Sequence, residues 1–281
     1  MRNKRTTDTM VRLLEQARYE VLPTATTEDK VLQHLPRDRA ITVTASPSKG
    51  LAATLDLSES LAGHGYVVVP HLAARMISGR TELAEIAERL VGKGITSVFV
   101  PGGDAEAVGD YPDALALLED LQVLGRPFTH VGITGYPESH PSIHDDLTVQ
   151  SMWDKRRHAT HIVSNLTFDP AGVRDWLRRL RARGVTMPVL LGMPGPVERT
   201  KLLGMATKIG VGESTKFLAK NKGLFARLAA PGGFTGESFL EKCAPALGEE
   251  GAFVEGLHVF TFNQVAETEA WRTQLLEDLR S

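Results

Sequence analysis

The stretch GYPESHP (135–141) places a phenol, a carboxylate and an imidazole, Tyr136, Glu138 and His140, between Pro137 and Pro141. The run before it, from Val131, is apolar or small and suits a strand buried on both faces. Proline stops that strand, because it cannot donate to a sheet ladder. A stiff loop with three hydrogen-bonding groups at a strand end suits ligand binding or proton transfer, since function concentrates on loops held by a rigid scaffold. The same residues also fit a proline-rich turn with solvated polar groups.

Other reactive side chains stand at comparable places. Glu20 lies inside an apolar run, where an acid is costly unless it is paired or functional. Asp104 directly follows another run, as catalytic carboxylates and helix caps both do. His71 closes a third run after Pro70, Thr44 stands near the end of a fourth, Asn165 lies in a fifth and Asn263 ends the last. Taken singly, His71 fits a hydrogen-bonded core histidine and Asn263 fits a turn. As a set they need one rim to converge on. Metal and nucleophile patterns are missing. His140 and His144 are separated by Pro141, and His158 and His161 straddle a helix-to-strand boundary. Cys243 is the single cysteine, and no Gly-x-Ser-x-Gly elbow, Gly-x-x-x-x-Gly-Lys loop or Gly-x-Gly-x-x-Gly turn occurs.

The elements that would carry these groups can be read from periodicity. Eight short apolar runs occur, over 19–23, 40–45, 66–71, 97–103, 130–136, 161–168, 188–193 and 258–263. Segments with helical spacing stand at 8–18, 49–63, 80–93, 112–124, 145–159, 170–183, 198–208 and 265–280. Strand–helix alternation implies a parallel sheet, and eight strands imply a closed (β/α)8 barrel over residues 1–281 as a single domain. Two further helical stretches, 213–229 and 236–247, predict extra helices between strands seven and eight. A barrel gathers its site at the carboxyl ends of the strands.

Composition narrows the classes. The chain has 281 residues, a net charge of -2 and 42% hydrophobic residues, which is ordinary for a globular protein. Without a basic excess, nucleic acid is not an expected partner. No apolar run approaches the ~18 residues of a membrane span, and no apolar signal region follows the basic start. The expectation is a cytoplasmic protein. Oligomeric state is left open.

The runs and their ends resemble methylenetetrahydrofolate reductase, in the short bacterial form without a regulatory domain. The marks are YEVLP (19–23), VTA (43–45), VPHL (69–72), GGD (102–104), GYPESHP (135–141), SNLTFD (164–169), PVLLGMPGP (188–196) and FTFN (260–263), in the family's order and spacing. The resemblance implies a barrel that reduces 5,10-methylenetetrahydrofolate to 5-methyltetrahydrofolate, with NADH or NADPH as reductant and FAD as hydride relay. It implies Glu20 as the acid that opens the imidazolidine ring and Asp104 as the carboxylate on the pterin. Asn165 stands where the family has a folate-binding glutamine, with Thr44 and Asn263 also on the substrate side. His71 and Tyr136, with Glu138 and His140, would line the cofactor.

Departures from the family cluster where relatives hold FAD. The second-strand loop reads SPSKG (46–50), Gly102 replaces an arginine, and KRRHAT (155–160) replaces a run of small residues. The arginine that usually follows the last strand's asparagine is Gln264. Lys49, Lys155, Arg156 and Arg157 offer compensating charge. The balance predicts that FAD binds weakly or not at all, with hydride passing directly from nicotinamide to folate. Two other functions fit parts of the pattern: a folate-binding barrel without catalysis, and a phosphate-binding barrel enzyme using GMPGP (192–196), whose prolines remove backbone donors.

Overall fold

The computed structural model describes residues 3–138, 144–197 and 235–281. Eight parallel strands alternate with helices as α1 (Lys4–Glu15), β1 (Ala17–Val21), α2 (Thr27–His34), β2 (Ala40–Val43), α3 (Gly50–Gly63), β3 (Val68–Pro70), α4 (Arg80–Gly92), β4 (Ser97–Val100), α5 (Ala114–Val123), β5 (His130–Gly135), α6 (Asp145–Lys155), β6 (His161–Ser164), α7 (Pro170–Ala182), β7 (Val189–Pro194), α8 (Gly236–Leu247), β8 (Val254–Phe260) and α9 (Val265–Arg280). The strand order is β3-β2-β1-β8-β7-β6-β5-β4. The remaining seam closes by a parallel bridge between His71 and Phe99, with Leu72 N donating to Phe99 O at 2.8 Å and Ala74 N to Pro101 O at 3.0 Å. The fold is a (β/α)8 barrel.

Strand alternation sorts the side chains. On β1, Tyr19 and Val21 face the helices, and the Tyr19 hydroxyl donates to Glu269 on α9 at 2.6 Å. Arg18 and Glu20 therefore face the barrel axis. Most buried apolar side chains form one core between strands and helices, while Val69, Phe99 and Val163 form a small separate cluster with Leu190. Register places that second cluster inside the barrel.

Two expectations shift. The helix read over 8–18 ends at Glu15, and Ala17 and Arg18 belong to β1, where they pair with Leu257 and His258. Strand pairing overrides a helical spacing to which Ala17 contributed. β8 likewise begins at Val254, four residues before the expected 258. Helix α2 has no counterpart in the expectation, because only Thr27 and Val31 of its eight residues are buried. The helix expected over 236–247 is α8. Those over 198–208 and 213–229 lie outside the described residues.

Candidate active site

Glu20 comes one residue before the end of β1, beside Phe260 of β8 and Thr42 of β2 in register. Its carboxylate Oε2 lies 2.8 Å from Nε2 of His258 and 3.5 Å from Nε2 of His71, the second contact lacking hydrogen-bond geometry. The His258 side chain is fully buried, and those of Glu20 and His71 are 13% and 10% exposed. Phe99 packs edge-on to His71 at 4.6 Å, and Phe260 packs edge-on to His258 at 4.9 Å. The acid thus sits between two imidazoles, walled by two phenyl rings.

This setting decides the charges. Burial raises the Glu20 pKa to about 7, against the weaker opposing pull of His71 and Arg18. Burial also lowers His71 to about 4, although Glu20 opposes that shift, and holds His258 well below its ordinary value with Arg18 adding to it. Both rings are therefore neutral near pH 7. A neutral His258 that donates Nε2–H to the carboxylate leaves Nδ1 as a lone pair. That costs less than burying an unpaired N–H. The arrangement is a carboxylic acid that carries a proton near neutrality and whose conjugate base keeps one hydrogen bond.

Other groups from the sequence reading line the same mouth. Thr44 continues β2, and its Oγ1 is buried without a partner. Burial raises the Tyr136 phenol, Asp104 raises it further, and a hydrogen bond from Thr134 opposes them. Tyr136 and Asp104 therefore share one stretch of rim. Asp104 itself is exposed and follows Gly103, whose φ of 90° lies in the left-handed region. Asn165 is exposed past β6, and its Oδ1 accepts from the N–H of Leu166 at 2.7 Å.

Glu138 and Asn263 are used as scaffold. Glu138 Oε1 accepts from Thr167 Oγ1 at 2.7 Å, from Asp169 N at 2.8 Å and from Phe168 N. It ties the loop after β5 to the segment that starts α7. Asn263 Oδ1 accepts from Leu22 N at 2.8 Å, and its Nδ2 donates to Leu22 O and to Thr27 Oγ1. It fastens the end of β8 to the loop after β1 with a φ of 60°. These bonds occupy Oε1 of Glu138 and both polar atoms of the Asn263 amide. His140 lies outside the described residues.

Sequence reasoning missed three inward side chains. In the sequence His258 stands at the start of an apolar run, Arg18 falls in a segment with helical spacing, and His161 enters only as a metal-ligand candidate across a helix-to-strand boundary. Gly256, His258 and Phe260 alternate toward the axis, and a histidine in a strand opposite an acid-bearing strand was the available signal. Among the described residues no cluster of three His, Cys, Asp or Glu could hold a metal ion, and no helix is long and apolar enough to cross a membrane.

No protein-family model matches the chain. The structure is similar to a protein from Clostridium thermocellum described as binding two copies of 5-methyl-5,6,7,8-tetrahydrofolic acid, with a TM-score of 0.62 at 10% identity over 95% of this chain and 98% of that one. It is also similar to a putative lyase/mutase from Burkholderia cenocepacia, with a TM-score of 0.51 at 15% identity over 97% and 87% of the two chains. At these identities the likeness shows the barrel fold.

Proposed function

We propose that the chain reduces 5,10-methylenetetrahydrofolate to 5-methyltetrahydrofolate, with a reduced nicotinamide as hydride source and no flavin between them. The observation that carries this reading is Glu20, a buried acid at the carboxyl end of β1 whose pKa is raised to about 7. The folate must be protonated at N10 for the ring to open to an iminium that can take hydride. A general acid does this best when its pKa lies near the working pH. Glu20 supplies the proton, and His258 at 2.8 Å holds the carboxylate left behind. His71 and Phe99 keep water from that side of the acid. The folate-binding barrel from Clostridium thermocellum supports a folate ligand for this architecture.

Three features favour the flavin-free form. FAD would need cations or backbone donors for its two phosphates. Arg156 stacks on Trp153 at 3.6 Å and donates to the Trp153 carbonyl, so its guanidinium is already engaged. Burial lowers the Lys155 pKa, and Asp113 and Asp154, which oppose that shift, compete with a phosphate for its charge. Ser46 and Ser48 in the second-strand loop bond to each other at 3.0 Å.

The test is an initial-rate study of the purified chain over a grid of folate and NADH or NADPH concentrations, with a visible spectrum. Folate-dependent nicotinamide oxidation by a colourless protein, with intersecting double-reciprocal lines, is the expected result. Direct transfer requires both reactants bound together. Stoichiometric flavin with parallel lines overturns the flavin-free form. Folate binding without turnover on either nicotinamide would leave a folate-binding barrel without catalysis.

A further inference from the structure

We propose that the barrel interior, one layer beneath Glu20, binds a small monovalent anion on the Nε–Nη2 edge of Arg18. The anion is a halide or a carboxylate of formate size.

Barrel interiors are ordinarily filled by branched apolar side chains. Here Arg18 occupies an inward position two residues below Glu20 and is 7% exposed. Its Nε and Nη2 have no hydrogen-bond partner. Among the described residues no carboxylate comes within ion-pair distance of it. Neighbouring strands present further unpartnered atoms to the same interior. They are Nε2 of His161 on β6 and Oγ1 of Thr42 on β2, while Nδ1 of His258, the register partner of Arg18 on β8, meets the same interior as a lone pair that does not donate. His161 lies within the electrostatic reach of Arg18 and His258, which both disfavour its charging after burial itself.

Buried charges are found paired, and an unpaired one is strongly destabilising. Water can satisfy the free N–H groups but leaves the charge uncompensated. Nε–H and Nη2–H point the same way from one edge of the guanidinium, the geometry that takes a planar carboxylate in a bidentate manner or bridges to a halide. The interior is closely packed around Gly132, where a Cβ would stand 2.8 Å from Nε2 of His161 and 3.2 Å from the Phe99 ring, which rules out a large ligand beside His161.

Occupancy is coupled to Glu20. The charged and titratable groups facing this interior are Arg18 and Glu20 on β1, His71 after β3, His130 and His161 on β5 and β6, and His258 on β8. With His71 at about 4, His161 at about 3 and His258 well below its ordinary value, Glu20 is the buried member that titrates near neutrality, at about 7. A carboxylate at Glu20 and an anion on Arg18 compete for one cation. By linkage the anion is taken up with a proton on Glu20, and bound anion extends the acid form of Glu20 to higher pH. The site stands apart from the proposed reduction, and only an effect on turnover would rest on that reading.

The test is crystallography of the full chain grown free of halide, then soaked in bromide or in formate. An anomalous bromide peak or planar formate density against the Arg18 edge is expected, and the soak that shows it identifies the class. Water alone beside Arg18 in both soaks overturns the proposal. In solution, the affinity for the ion found should be roughly fivefold tighter at about pH 6 than at about pH 8. Equal affinity at both values overturns the coupling to Glu20. Arg18→Met should abolish the ion dependence of thermal stability, and if that variant does not fold, the wild-type soaks decide.

Discussion

Two glutamates stand at strand ends on the same rim, and the barrel treats them in opposite ways. Around Glu20, at the β8–β1 seam, the backbone donors are consumed by strand pairing, and among the described residues the side chains within ion-pair distance of the carboxylate are the imidazoles of His258 and His71. Around Glu138, at the β5–β6 seam, a threonine hydroxyl and the N–H groups of Phe168 and Asp169 converge on one oxygen. Burial with a single imidazole partner favours the protonated form of Glu20, whereas the donors that converge on Glu138 make it a cross-link between two segments. The donors around a carboxylate, more than its place on the rim, therefore decide whether it can move a proton or serves as a clamp.

Exchanging the two glutamates' roles by mutation should separate chemistry from scaffold. The largest effect is expected from Glu20→Gln, which keeps shape and a hydrogen bond but removes the proton. Folate reduction should fall by at least the ~100-fold typical of a lost general acid, with folate affinity retained. Near-normal turnover in an initial-rate assay would remove Glu20 from the proton step. The same variant should change stability in a pH-dependent way. Glu20 has a folded pKa above its unfolded value, so its favourable contribution is complete below about 4.5 and is lost as pH rises through about 7. Relative to wild type, Glu20→Gln should gain up to ~3 kcal/mol across that window in denaturant titrations. A constant difference at all pH values would mean that the acid is not desolvated.

Glu138→Ala should do the reverse. It strands three donors and should cost ~2–4 kcal/mol of unfolding free energy, while turnover per folded molecule stays within ~3-fold. Glu138→Gln retains an acceptor and should recover about half of the loss. A large fall in turnover with unchanged stability would make Glu138 a ligand contact and erase the contrast. Asp104→Ala, on the exposed part of the rim, should weaken folate binding by ~1.5–3 kcal/mol, read by titration. An unchanged affinity would leave Asp104 with no role on the pterin. The last effect is read in the wild type itself. Above about pH 7 turnover should decline, approaching tenfold per pH unit, as the acid form of Glu20 is depleted.

The barrel was legible because its strands are short apolar runs bounded by turn residues, a pattern that does not depend on remote partners. The acid was legible for a related reason, since Glu20 interrupts such a run. Arg18 was not, because helical spacing over 8–18 extends across the residue where the chain turns into β1, and only pairing with β8 moves it into a strand. His258 escaped because its meaning depends on Arg18 and Glu20 across a seam 238 residues away. Glu138 and Asn263 stand past strand ends as the sequence pattern implies, yet the groups that bind them come from segments whose approach no local pattern reveals.

The central claim is that Glu20 carries a proton near neutrality. Carboxyl-stretch infrared difference spectra between wild type and Glu20→Gln, recorded across the pH range from about 4 to 9, test it without substrate or cofactor. A protonated Glu20 gives a carboxyl band, absent from the variant, that disappears with a midpoint at about 7. A midpoint near 4.5, the ordinary value for a glutamate, would contradict it.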